Sequence, residues 1–156
     1  MIYFDFDGVI RNLTVTISDL IFTDWDTQIE GKSFLEYFNE NLNLLLEASP
    51  TEYYLIIKDY QKEIVVMTHQ ADNWKDAFWQ WMKTYFPERR IEVIFVEHIN
   101  DKLGYLNQDD LLIEDYPNFD DYSQIILIKR PYNRNVENAF MFIDQPEQLQ
   151  KFLEDN

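Results

Sequence analysis

Residues 2–10 read Ile2-Tyr3-Phe4-Asp5-Phe6-Asp7-Gly8-Val9-Ile10. An apolar run is broken by two carboxylates two positions apart, and then by a glycine. Ile2 to Phe6 lacks the polar alternation of a half-exposed strand, so it reads as a strand buried on both faces. An ionised carboxylate at the end of such a strand is costly unless a cation or a metal compensates it. A sheet is therefore expected to begin here, with chemistry where this strand ends.

Similar runs recur along the chain at Ile64 to Met67, Ile91 to Val96, Leu111 to Ile113 and Ile125 to Ile128, with Phe140 to Ile143 as a sixth. Helical patterns lie between them. Ser33 and Glu36 have the spacing of a capping box, ahead of Phe34, Phe38, Leu42, Leu45 and Leu46 on one helical face. Ser49-Pro50-Thr51-Glu52 predicts a second box with proline at the first helical position, opening a helix with Tyr53, Ile56, Ile57 and Tyr60. Trp74, Phe78, Trp81, Met82 and Tyr85 repeat at helical spacing up to Pro87, and read as core rather than a base-stacking face. Asp144 and Glu147 open a last helix ending near Asp155. Strands alternating with helices predict an α/β fold, with a parallel sheet covered on both faces.

The chain has 156 residues, about the size of one domain. It has 46% hydrophobic residues, 12 Phe, 10 Tyr and 4 Trp, which is enough to form a core. Cysteine is absent, which excludes disulfides and thiolate zinc sites. The formal charge of −16 argues against long nucleic acid as a partner, since its binders present clustered Lys and Arg. A small anion can still be drawn to a pocket holding a divalent cation. No basic-then-apolar leader and no apolar stretch of about 18 residues is visible. A soluble, cytoplasmic protein with no membrane partner is the expectation; oligomeric state is not legible.

In parallel α/β sheets ligands bind beyond the carboxyl ends of the strands, near a switch in strand order. The residues at those ends are Asp5 and Asp7 after the first run, Thr68 and His69 after the second, Lys102 after the third and Glu114-Asp115 after the fourth. Their chemistry is coherent. A carboxylate can attack phosphorus once the charges are offset, and carboxylates with phosphate oxygens suit magnesium. A lysine and a hydroxyl can hold the outer phosphate oxygens. A second carboxyl can protonate the leaving oxygen and later activate water.

The series apolar-Asp-x-Asp-Gly-Val, apolar-Thr, Lys and apolar-Glu-Asp resembles the four motifs of the haloacid dehalogenase superfamily, from Ile2 to about Arg134. The resemblance implies a three-layered α/β/α, Rossmann-like fold with a mostly parallel sheet. It also implies Asp5 as nucleophile, Asp7 as general acid/base, and Thr68, His69 and Lys102 on the phosphate. Mg²⁺ would be held by Asp5, the Asp7 carbonyl and the pair Glu114/Asp115. Asp101-Lys102, then Asp110-Leu111-Leu112-Ile113-Glu114-Asp115-Tyr116-Pro117 and Ile126 to Asn133, are similar to the 5'(3')-deoxyribonucleotidases. That family has Asp at the position of Glu114, so the metal-binding member of the pair stays open. The resemblance implies a phosphoric monoester hydrolase forming an aspartyl-phosphate and acting on a nucleoside monophosphate.

Residues 11–48 read as a short cap inserted into a single domain of residues 1–156. Related phosphatases use an insertion here to cover the site. Phe22 and Trp25 are its candidates for contact with a base, while Phe34 and Phe38 suit the cap's own core equally well. Arg130 and Arg134 could neutralise site carboxylates or form surface ion pairs, Asn118 is a turn residue that could orient the Glu114 loop, and His98 reads as surface. The rival functions are a phosphatase for a sugar phosphate or a 3'-phosphate end, and a non-catalytic module on the same fold.

Overall fold

The computed structural model describes residues 1–14 and 24–156. At its centre β1 (Ile2–Phe4) lies between β2 (Val65–His69) and β4 (Leu111–Glu114). With β3 (Glu92–Val96), β5 (Ile125–Ile128) and β6 (Met141–Ile143) they form a six-stranded sheet in the order β3-β2-β1-β4-β5-β6. Every pairing is parallel, and Phe4 is in register with Val66 on one side and Ile113 on the other. The chain thus builds the sheet outward from β1 in one direction and then in the other, so the switch in strand order falls between β1 and β4.

Successive side chains of a strand point to opposite faces, and the core divides accordingly. Phe4, Val66, Ile113 and Ile126 enter one cluster; Tyr3, Val65, Leu112 and Ile125 enter another. The first cluster is completed by three helices, α3 (Tyr54–Asp59), α4 (Lys75–Tyr85) and α5 (Pro146–Asp155). The second is closed by the 3-10 segment Ile99–Tyr105 and by Phe119 and Tyr122 from a loop. The fold is α/β as expected, but the α-helices cover one face, and the other carries 3-10 turns and loops. Among the described residues, no helix is long and apolar enough to cross a membrane.

Two helical expectations changed. The pattern from Phe34 to Leu46 forms two helices, α1 (Phe34–Glu40) and α2 (Asn43–Glu47). Asn41 leaves the helical region at φ −130°, ψ 52°, and its side-chain amide donates to the Tyr37 carbonyl, the local competition that makes asparagine a helix terminator. Ser33 caps α1 in the expected box with Glu36. The second box does not form. Thr51 donates its hydroxyl to the Val9 carbonyl at 2.5 Å and accepts from the Tyr53 N–H, while Glu52 pairs with Arg130. Helix α3 accordingly starts later, at Tyr54.

Candidate active site

Where β1 ends, the Asp5 N–H still donates to the Ile113 carbonyl of β4 at 2.9 Å, and the chain then turns away through Gly8 at φ +89°. A side chain at Gly8 would place its Cβ 1.8 Å from Asp115 Oδ2, so only glycine lets this turn lie against the β4 acids. The 3-10 segment after β3 brings Lys102 across the sheet edge. It is 2% exposed, and its Nζ lies 2.5 Å from Asp5 Oδ1 and 2.5 Å from Glu114 Oε2. Residues 97 and 12 positions from it in sequence thus share one ammonium.

Burial sets the electrostatics. It pushes the Asp5 carboxyl well above its ordinary range, with the Glu114 charge adding and Lys102 opposing. Burial also raises Glu114 against the pull of Lys102. Burial and the charge of Asp5 push Asp115 up to about 6. Burial alone would lower Lys102, but Asp5 and Glu114 outweigh it and hold the amine firmly protonated.

Carboxylate oxygens of Asp5, Glu114 and Asp115 lie within 4.8 Å of one another. With all three ionised, the carboxylates exceed the one ammonium by two negative charges, which one divalent cation would balance. All the donors are hard oxygens, the set magnesium prefers, so the residues fit that ion. Glu114 accepts most: Oε2 takes Lys102, and Oε1 takes the N–H groups of Asp115 and Tyr116 at 3.0 and 3.3 Å. Asp115 accepts the Tyr132 hydroxyl on Oδ2, and its main-chain carbonyl accepts from Asn133 at 2.8 Å. Among the described residues, Asp5 Oδ2 accepts no hydrogen bond, which leaves it the most open to an ion.

Asp7 is held apart from this cluster. Arg11 grips it with Nε on Oδ1 at 2.6 Å and Nη2 on Oδ2 at 3.0 Å, and Gln70 donates to Oδ2 at 2.7 Å. Thr68 is buried, and its hydroxyl accepts from Gln70 at 3.1 Å, so it caps no helix. The His69 ring faces the Val96 carbonyl at 3.2 Å. Arg130 donates to the Gly8 carbonyl at 2.7 Å and pairs with Glu52, which ties the first loop to α3. Orientation of the Glu114-Asp115 loop comes from Asn133, while Asn118 and His98 are exposed. Arg11, Gln70, Tyr132 and Asn133 thus join the site without being among its candidate residues, although Tyr132 and Asn133 lie in the family-like segment Ile126 to Asn133. The Asp7/Arg11 spacing of four was the visible signal, and the roles of the others are legible only once the strands are ordered.

Asp5, Asp7, Thr68, His69, Lys102, Glu114 and Asp115 all line one cavity of about 520 Å³. Trp25 lines it too, 38% exposed, with its ring edge-on to Tyr116 and Tyr132 at 5.1 and 5.5 Å. Phe22 lies outside the described residues. Phe38 is buried in a cluster with Leu45 and Trp74, whereas Phe34 reaches the cavity. The Trp74 stripe divides as well: Phe78 and Trp81 pack on Phe6, and Trp74 lines the cavity.

No family model matches the chain. Over 93 residues it is 33% identical to the isoleucine--tRNA ligases of Buchnera aphidicola subsp. Acyrthosiphon pisum strains Tuc7, 5A and APS. That stretch is 59% of this chain and 8% of the ligase, so the chain spans less than a tenth of those relatives. So partial a match bears on neither the carboxylate cluster nor its chemistry.

Proposed function

We propose that the protein is a Mg²⁺-dependent phosphomonoesterase of the haloacid dehalogenase superfamily. In this reading it is a cytoplasmic hydrolase of the 5'(3')-deoxyribonucleotidase type, acting on a nucleoside monophosphate. The observation that carries the reading is Lys102, buried and shared between Asp5 and Glu114 beside a cation-sized surplus of negative charge. In the first half-reaction an Asp5 oxygen bonds to phosphorus as the ester P–O bond breaks. The electron pair goes to the leaving oxygen, which takes a proton from Asp7. Water then attacks the aspartyl-phosphate, its proton passes to Asp7, the Asp5–phosphorus bond breaks, and inorganic phosphate leaves.

In this reading Lys102 and Thr68, which both line the cavity, hold the outer phosphate oxygens. Held by Asp5, Asp115 and the Asp7 carbonyl, Mg²⁺ would offset the charges of nucleophile and phosphate. Trp25, Tyr116 and Tyr132 form an aromatic wall suited to a planar leaving group. The test is inorganic phosphate release with Mg²⁺ from nucleoside monophosphates, sugar phosphates and p-nitrophenyl phosphate. Release is expected, nucleotides first, and Asp5→Asn is expected to abolish it. Absence of release from every ester refutes the assignment.

A further inference from the structure

Arg11 has no solvent exposure, and a buried guanidinium is expensive to desolvate. Replacing a buried ion pair as a whole by apolar side chains is often neutral or stabilising, so the fold alone does not call for the pair of Arg11 with Asp7 here. Its donors point to another role. Two go to Asp7 in a fork, Nη2 also reaches Gln70 Oε1 at 3.4 Å, and Nη1 donates to the Leu45 carbonyl of α2 at 3.1 Å. The guanidinium lies over the Phe6 ring, 4.6 Å from its centre.

The backbone at this point closes the base of the cap. Arg11 bridges to Pro50, the Asn12 N–H donates to the Ser49 carbonyl at 2.8 Å, and the Thr51 N–H donates to the Ile10 carbonyl at 2.9 Å. The chain therefore enters and leaves the insert beside the side chain that grips Asp7. Gln70, just after β2, fixes Oδ2 from the other side, and among the described residues Arg11 is the single donor to Oδ1.

We propose that Arg11 is a positioning residue that sets the carboxyl plane of Asp7 and ties it to the cap through α2. The inference rests on the phosphomonoesterase reading. Asp7 placement matters most for a leaving group that must be protonated. An alkoxide departing from a nucleoside monophosphate needs that proton, and a nitrophenolate does not.

The test is single-turnover release of the leaving group with Mg²⁺, which isolates the first half-reaction, for wild type, Arg11→Met, Arg11→Lys and Gln70→Leu. Arg11→Met is expected to slow release from a nucleoside monophosphate about 100-fold, the scale of losing a well-placed general acid. Release from p-nitrophenyl phosphate falls less than about 10-fold on the same scale, apparent substrate affinity is kept, and Arg11→Lys recovers part of the loss. Equal losses on both esters, or none, overturn the proposal. If Arg11→Met fails to fold, Arg11→Lys decides, because it keeps the charge and loses the fork, with Gln70→Leu as the control that keeps the Arg11–Asp7 pair. A loss confined to the nucleotide supports the proposal, and a uniform or absent loss overturns it. Asp5→Asn, which stops both esters alike, marks the difference from losing the nucleophile. A wild type that releases nothing from either ester sinks the phosphomonoesterase reading, and this inference with it.

Discussion

Glu114 and Asp115 are adjacent acids of the same charge, and their surroundings give them different work. Glu114 accepts from the Lys102 ammonium and from two backbone N–H groups, whereas the Asp115 carboxylate accepts from the neutral Tyr132 hydroxyl. Asp115→Asn is expected to leave the fold intact and weaken Mg²⁺ binding about 100-fold in a calorimetric titration, since even outer-shell losses cost 10- to 100-fold. Glu114→Gln should instead lower the urea midpoint by an amount equivalent to about 3 kcal/mol, because a buried ammonium loses one of its two counter-charges. A result with the two roles exchanged would place the ion on Glu114. Sequence could nominate both acids, but the partner that separates them, Tyr132, comes from the loop after β5.

At the scale of elements, patterns satisfied within one helix were legible and patterns open to a distant partner were not. Ser33 and Glu36 form their box because both partners belong to the first turn of α1. Ser49 and Glu52 have the same spacing, yet Glu52 pairs with Arg130, and the Thr51 hydroxyl between them donates to the Val9 carbonyl, 42 positions away. That bond joins the first loop to the start of α3. Thr51→Val keeps the shape and deletes both bonds of the hydroxyl, leaving a buried carbonyl unpaired. It is expected to cost about 2 kcal/mol in urea unfolding; a change below about 0.5 kcal/mol would show that the contact adds little. The division of Phe34 to Leu46 into α1 and α2 follows the same logic, since apolar periodicity runs on past Asn41 while its side chain takes a backbone carbonyl.

For the whole molecule, the surplus negative charge at the sheet edge makes stability depend on pH and metal together. Burial and Asp5 raise Asp115 from an ordinary 3.8 to about 6. A carboxyl raised in the fold stabilises it fully below the unfolded value and loses that contribution as pH rises through the folded one. Metal-free protein should therefore lose up to about 3 kcal/mol between pH 4 and 6 relative to Asp115→Asn, at about 1.4 kcal/mol per pKa unit. Mg²⁺ at about 100 times its Kd should restore about 2.7 kcal/mol at pH 7.5. Thermal melts of both proteins across this range, with and without Mg²⁺, check it. A flat difference between them would mean that Asp115 titrates normally.

What the sequence determined by itself is the succession of apolar strands and the polar residues that follow them, because apolar period and chain order are properties of the chain alone. Tertiary structure decided the strand order β3-β2-β1-β4-β5-β6, and with it which of those ends meet. It decided that Lys102 bridges Asp5 and Glu114, and that Arg11 takes Asp7. It also left α-helices on one face of the sheet and 3-10 turns on the other. These outcomes depend on which buried charges find a partner once water is excluded. That competition is run between residues far apart in sequence, so no local pattern records its result.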